Sequence, residues 1–251
     1  MEELDGLEEV RYNCPKCKDL GGTFGSKKDQ ENEKVYEIWI ECDCTIQSKI
    51  NRLMKSSEIT ESFKQMGFTN FSLENRLQVI IEAYQCTNTY FKDYESIKTM
   101  RTNSIALLGA VGSGKTHLLT ALANNLIQKK LVSVLYFPYV EGFNDLRDDF
   151  KKLEPKLQSM KDVEVLFIDD LFKPVSGKPQ ASEWELKQVF SVINYRYLNH
   201  RPIIISSELS IDKMLVLDEA LATRIAEMCE NYMVVIEGDK RVLNYRLRNY
   251  K

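Results

Sequence analysis

The sequence predicts an α/β fold, a parallel sheet flanked by helices, preceded by a small cysteine-bearing module. Three observations predict it. From Ser104 onward, short continuous apolar runs alternate with helical segments, the pattern of strands buried on both faces and joined by helices. A phosphate-binding loop stands between the first of these strands and the first of these helices. Four of the six cysteines lie ahead of it in two close pairs.

The expected strands are Ile105–Leu108, Val132–Phe137, Val163–Ile168, Ile203–Ser206 and Met233–Ile236. The helical segments between them are 115–129, 141–152, 182–199 and 219–229. Upstream, Leu77, Ile80, Ile81 and Tyr84 recur at helical spacing, which predicts a long helix from Glu74 to about Lys98. Residues 1–47 form a unit with one strand-like run, Val35–Ile40, and residues 48–67 read as a polar helical linker to a domain spanning 68–251.

The composition, 43% hydrophobic and 28% charged over 251 residues, suits a globular chain with one sizeable core and excludes wholesale disorder. No apolar run is long enough to span a bilayer. The start, MEELDGLEEV, carries five acids and no apolar stretch, so it does not read as a secretory signal, and the expected location is cytoplasmic, with no membrane partner. Residues 240–251 carry five bases (Lys240, Arg241, Arg246, Arg248, Lys251) and no acid. Such a tail is either a solvated end or a contact for nucleic acid or an acidic partner.

Gly109-Ala110-Val111-Gly112-Ser113-Gly114-Lys115-Thr116, followed by His117, satisfies G-x-x-x-x-G-K-[ST] at each fixed position. The glycines let the backbone wrap so that its N–H groups point at phosphates, and the following helix adds its positive end. Lys115 is expected to reach the β- and γ-phosphates, and Thr116 to coordinate Mg²⁺. Val165-Leu166-Phe167-Ile168 then leads into Asp169 and Asp170. Carboxylates at the C-terminal end of a parallel strand fall where ligands bind. Asp169 is expected to hold Mg²⁺, and Asp170 to orient the attacking water. Pro202–Ser207 is a further buried run ending in hydroxyls. Ser206 or Ser207 either approaches the γ-phosphate or caps the following helix.

Cys14-Pro15-Lys16-Cys17, with Gly21-Gly22 after it, and Cys42-Asp43-Cys44 offer four thiolates from two pairs. That donor set suits a structural tetrahedral Zn²⁺ site, whose binding energy would fold a short polar segment. A redox pair or unliganded thiols are the alternatives. Cys86 and Cys229 sit alone in apolar, helix-like surroundings and read as core.

The succession GAVGSGKTH, VLFIDDLF, NYRYLNHRPIIISSE, ALATRIAEMC and NYRLR resembles the bacterial and phage replicative helicase loaders, the DnaC/DnaI-type AAA+ ATPases related to the IstB transposition helper. The resemblance covers roughly residues 68–251. It implies an AAA+ P-loop ATPase using ATP and Mg²⁺, with weak activity stimulated by DNA or a partner. It also implies self-association, in which Arg224 completes a neighbouring subunit's site in trans. By the same resemblance, Arg246 or Arg248 senses nucleotide, and the zinc module grips the hexameric replicative helicase. GFNDLRDDF resembles the segment that contacts single-stranded DNA, through Arg147 to phosphate and Phe150 to a base, whereas Phe143 and Leu146 at i, i+3 read as core. Two positions depart from the family: Glu208 stands where Asn is frequent, so the polar sensor role falls to Ser207, and Asp170 stands where Glu is frequent. The function implied is ATP-dependent loading of the helicase onto single-stranded DNA in replication, including phage replication. The alternatives are an IstB-like helper on duplex DNA and a non-hydrolysing, nucleotide-switched adaptor.

Overall fold

The computed structural model describes residues 12–29, 34–174 and 181–248. The acidic start and Lys251 lie outside them. The chain divides into two compact units, Met1–Arg52 and Leu53–Lys251.

In the first unit, β1 (Gly22–Lys28) pairs antiparallel with β2 (Val35–Glu41), with Phe24 opposite Trp39. Their rings meet edge-on at 5.0 Å, a cross-strand contact of the kind that holds a small ribbon in register. β1 goes beyond the single strand expected here. Its Gly, Ser and Lys content carries no strand signal of its own, and pairing with β2 makes it a strand. Helix α1 (Asp43–Ser56) follows.

The larger unit begins with the short α2 (Glu61–Lys64) and the long α3 (Gln78–Ile97). Its sheet is β3 (Ile105–Gly109), β4 (Val134–Pro138), β5 (Val165–Asp169), β6 (Ile203–Ser207) and β7 (Met233–Ile236). All pairings are parallel and the order is β4-β5-β6-β3-β7. The helices are α4 (Lys115–Lys130), α5 (Tyr139–Asp148), α6 (Leu153–Asp162), α7 (Glu183–Leu198), α8 (Ile211–Leu217), α9 (Glu219–Met228) and α10 (Lys240–Leu243).

Strand alternation sorts the core into two layers. Ile105, Leu107, Phe167 and Ile204 meet α3 and α4 on one face. Ala106, Leu108, Leu166, Ile168, Ile203 and Ile205 meet α5–α9 on the other. Each fully buried Leu, Ile or Phe contributes about 1.5–3 kcal/mol. That is why central strands of this kind are apolar without interruption. The cysteines follow the same layering only in part: Cys229 is buried, whereas Cys86 is half-buried on α3.

Several boundaries shift for identifiable reasons. β4 starts at Val134 and not Val132, because Leu131 ends α4 in the left-handed conformation and the Val132 N–H bonds back to Leu126 O. β5 starts at Val165 because the Val163 N–H closes α6 and a buried arginine takes the Val163 carbonyl. The helix expected over 141–152 breaks at Asp149, and Phe150–Lys152 continue as a 3₁₀ turn. α6 and α8 add to the expected helices. Pro155 sits in the first turn of α6, where proline is tolerated.

That buried arginine is Arg196 on α7, with no exposed surface. Its guanidinium donates to five carbonyls: Met160 (2.8 Å), Lys161 (3.2 Å), Val163 (2.9 Å), Glu164 (2.9 Å) and Pro202 (2.6 Å). It ties the entrances of β5 and β6 to α7. Burial pushes it down to about 9.

Candidate nucleotide and metal sites

The P-loop joins β3 to α4. Gly112 has φ +69°, and a Cβ there would come 2.0 Å from Asn244 Oδ1. Gly114 has φ +105°, and a Cβ there would come 2.7 Å from the Phe71 ring. Both lie in the left-handed region, where a side chain is strained. Gly114 leaves the α4 N-terminus without a side-chain cap, so its first N–H groups are free for phosphate oxygens.

Lys115 is 6% exposed and donates to Gly109 O (2.7 Å) and Ala110 O (2.8 Å). Burial pushes it down to about 8, while Glu208, Asp170 and Asp169 pull the other way. Asp169 ends β5 and accepts three hydroxyl hydrogen bonds, from Thr116 (2.9 Å), Tyr136 (3.2 Å) and Ser206. Burial raises its pKa, and the Ser206, Thr116 and Tyr136 hydroxyls oppose the rise. A carboxylate and a hydroxyl this close, at the mouth of a phosphate loop, are the oxygen donors a hydrated Mg²⁺ takes. Asp170 has φ +56°, a conformation that short Asp and Asn side chains tolerate better than Glu. Its carboxylate holds Lys173 Nζ at 2.5 Å, and its N–H donates to Ser206 Oγ at 2.8 Å.

The two serines separate by register. Ser206 shares the face of Asp169 and bonds it. Ser207 points to the opposite face, where its hydroxyl is fully buried, donates to Leu171 O at 2.6 Å and accepts from Leu209 N–H at 3.1 Å. The hydroxyl of Ser207, expected as the polar sensor, is turned into the core, and Ser206 is the serine that bonds Asp169.

A cavity of about 920 Å³ runs along the P-loop. Lys115, Thr116, Asp169, Asp170, Glu208 and Lys173 line one part of it, and Phe71, Arg76, Tyr245 and Arg246 another. Sequence reasoning missed Tyr136, Phe71 and Arg76, which belong to no motif and arrive from elsewhere in the chain. His117, which follows the motif on α4, also lines the cavity. Its Nε2 lies 3.1 Å from Gly67 O and 3.0 Å from Asn70 Oδ1, fastening that loop to the helix. Arg246 reaches the cavity, whereas Arg248 lies over the Tyr245 ring at 3.8 Å.

Arg224 lies on α9, which packs on the sheet face opposite α4. It donates to Asn194 Oδ1 (3.0 Å) and Ala220 O (2.6 Å) and stands over the Phe190 and Tyr197 rings. It does not line the cavity of its own chain. Arg147 pairs with Glu185 at 2.8 Å and stands 5.8 Å from the Trp184 ring. Phe150 is exposed, edge-on to Trp184. Phe143 and Leu146 are core.

In the smaller unit the sulfurs of Cys14, Cys17, Cys42 and Cys44 all lie within 4.8 Å of one another. Cys14–Cys42 is 3.8 Å and Cys17–Cys44 is 3.5 Å. Sulfurs around a tetrahedral zinc, with Zn–S near 2.3 Å, stand about 3.8 Å apart. The residues fit that ion. The turn is prearranged: the Cys14 and Asn13 N–H groups donate to the Asp19 carboxylate at 2.8 and 3.0 Å, which holds Asp19 below the usual carboxylate range. The Cys17 backbone N–H pulls the Cys14 thiol down to about 7.

The chain resembles known proteins over most of its length. The model of a family described as IstB-like ATP binding protein matches residues 70–250. Phage-like element PBSX protein XkdC of Bacillus subtilis (strain 168) is 53% identical over 241 residues, which are 96% of this chain and 88% of that protein. Replicative helicase loader DnaI of the same organism is 28% identical over 187 residues, 72% of this chain and 56% of that protein. The crystal structure of DnaI superposes with a TM-score of 0.59 at 24% identity, over 73% of this chain and 94% of that one, a likeness of fold.

Proposed function

The chain belongs to the IstB-like ATP binding protein family, and from that premise we propose that it is an AAA+ ATPase that loads a hexameric replicative helicase onto single-stranded DNA. The observation that carries the reading is the network Lys115–Thr116–Asp169–Ser206 at the mouth of the P-loop cavity. It holds a cation for the β/γ-phosphates, two oxygen ligands for Mg²⁺ and a hydroxyl that fixes the ligating carboxylate. Asp170 orients water, Arg246 senses nucleotide, and Arg224 supplies charge to the site of a neighbouring copy. Arg147 and Phe150 meet the DNA strand, and the zinc-holding module takes the helicase. The likeness to the helicase loader DnaI supports the partner assignment.

The test is co-purification of the full chain with a replicative helicase, with and without ATP, alongside phosphate release in the presence of DNA. Lys115→Ala is expected to abolish ATP binding. Arg224→Ala is expected to bind ATP normally and lose stimulated hydrolysis. Normal hydrolysis by Arg224→Ala with DNA and helicase present would refute the trans role.

Two other readings each have one observation behind them. The IstB-like family description leaves room for an IstB-like helper on duplex DNA, and tight duplex binding without helicase capture would select it. The 2.5 Å Asp170–Lys173 pair withholds the second carboxylate and favours a non-hydrolysing adaptor. Absence of phosphate release under stimulated conditions would select that.

A further inference from the structure

The carboxylate of Asp170, the one assigned to orient water, is already engaged: Lys173 Nζ stands 2.5 Å from its Oδ2. The turn that brings the two together is strained. Asp170 has φ +56° and Phe172 has φ +54°, and a bulky aromatic residue rarely adopts the left-handed region. Burial holds that strain in place. Leu171 and Phe172 are fully buried, the Leu171 N–H donates to Ser206 O at 2.9 Å, and the Phe172 ring meets Tyr139 edge-on at 5.5 Å. The backbone of Lys173 is thereby fixed beside Asp170, while its side chain is 45% exposed and free to turn.

Such a pair parts easily, because ion pairs at this exposure are weak and screened by salt. Lys173 lines the same cavity as Lys115, Asp169, Asp170 and Glu208. It stands close enough to Lys115 for its charge to push that amine down. Lys115 is buried and fixed by two carbonyls, so Lys173 is the mobile one of the two amines. A terminal phosphate held at Lys115 carries more negative charge than a single carboxylate. It also offers several oxygens to a compact ammonium with three donors. A diphosphate lacks that group.

Resting on the reading of the P-loop as a nucleotide site, we propose that Lys173 is a latch on Asp170 that a nucleoside triphosphate opens and a diphosphate does not. The empty and the diphosphate-bound protein keep Asp170 paired. With a triphosphate, the Lys173 ammonium turns to the γ-phosphate and leaves Asp170 to water. Lys173 is thus a binding group that tells triphosphate from diphosphate and a positioning group for Asp170. The pair that withholds the second carboxylate is the resting position of a switch.

The first test needs no substitution: crystal structures of the full chain with Mg²⁺ and either ADP or the non-hydrolysable analogue AMPPNP. Lys173 Nζ is expected within hydrogen-bonding distance of Asp170 in the ADP complex and of a γ-phosphate oxygen in the AMPPNP complex. Lys173 on Asp170 in both, or on phosphate in both, would overturn the latch. The second test is equilibrium binding of the same two nucleotides to the full chain and to its Lys173→Gln and Lys173→Arg variants. Lys173→Gln should weaken AMPPNP about tenfold, the order expected for one charge-assisted hydrogen bond to phosphate, and leave ADP within about twofold. Lys173→Arg should restore most of the preference for the triphosphate. Parallel losses of both nucleotides would overturn the proposal, because Lys173 would then serve the shape of the loop. Unchanged AMPPNP affinity in Lys173→Gln would overturn it too, with the nucleotide-site reading left standing. That reading itself would fall, and the latch with it, if the unsubstituted chain bound neither nucleotide.

Discussion

Raising the pH from 7 to 9 should weaken ATP binding about tenfold, through Lys115 alone. Its amine is 6% exposed and is held by two carbonyls, and burial lowers it from 10.5 to about 8. The sign follows from which state holds the proton. In the free protein the charged amine is present below about pH 8 and is lost above it. Bound phosphates favour the charged form, so the complex keeps its proton to higher pH. Binding therefore takes up a proton above pH 8. At pH 9 roughly a tenth of free sites carry the charge, a loss of about 1.4 kcal/mol. The same burial opposes folding. A lysine whose folded pKa is depressed destabilises the empty protein below about pH 8, by something on the order of 3 kcal/mol, and the penalty fades as pH rises toward 10.5. Isothermal titration in two buffers of different ionisation enthalpy reads the proton uptake directly. It should approach one proton per ATP at pH 9 and near zero at pH 7. Affinity flat across this range, or proton release in place of uptake, would refute the reasoning.

Three other perturbations follow from the geometry. Ser206→Ala removes the hydroxyl that bonds Asp169 and accepts the Asp170 N–H. It should slow hydrolysis about 10–100-fold while leaving the ATP dissociation constant within about threefold. Ser207→Ala, on the opposite face, should leave turnover unchanged. Arg196→Met strips five carbonyls of their donor. A cost of about 3–5 kcal/mol and a fall in Tm of about 10 °C are expected by calorimetry. Metal analysis should find one zinc per chain. Cys17→Ser or a strong chelator should abolish it, and amide exchange protection across β1 and β2 should vanish with it.

Much of the larger unit was legible because its signals are local. Ile105–Leu108 followed by the glycine motif specifies a strand, a turn and a helix within a few residues. Val165–Ile168 marks a strand that needs both faces covered. The ribbon strand Gly22–Lys28 was illegible because its partner confers its structure. The choice between Ser206 and Ser207 depended on register, which a tandem of identical residues cannot reveal. Arg76 stands 37 positions before the Ser113 carbonyl it meets, and a lone arginine ahead of a helix gives no hint of that. Arg196 reads as an ordinary helix-surface charge until the turns around it are in place.

The placement of α9 on the sheet face away from α4 has a consequence for how activity scales. Under the proposed trans role, one chain holds half of two sites and the whole of none. Specific activity should then rise with protein concentration before levelling off, as it does for any catalyst assembled by mass action. A mixture of Lys115→Ala and Arg224→Ala chains, each inert alone, should recover turnover at those junctions where an intact loop meets an intact arginine. The dose of either defective chain needed to silence the native one would then report how many neighbours must fire together.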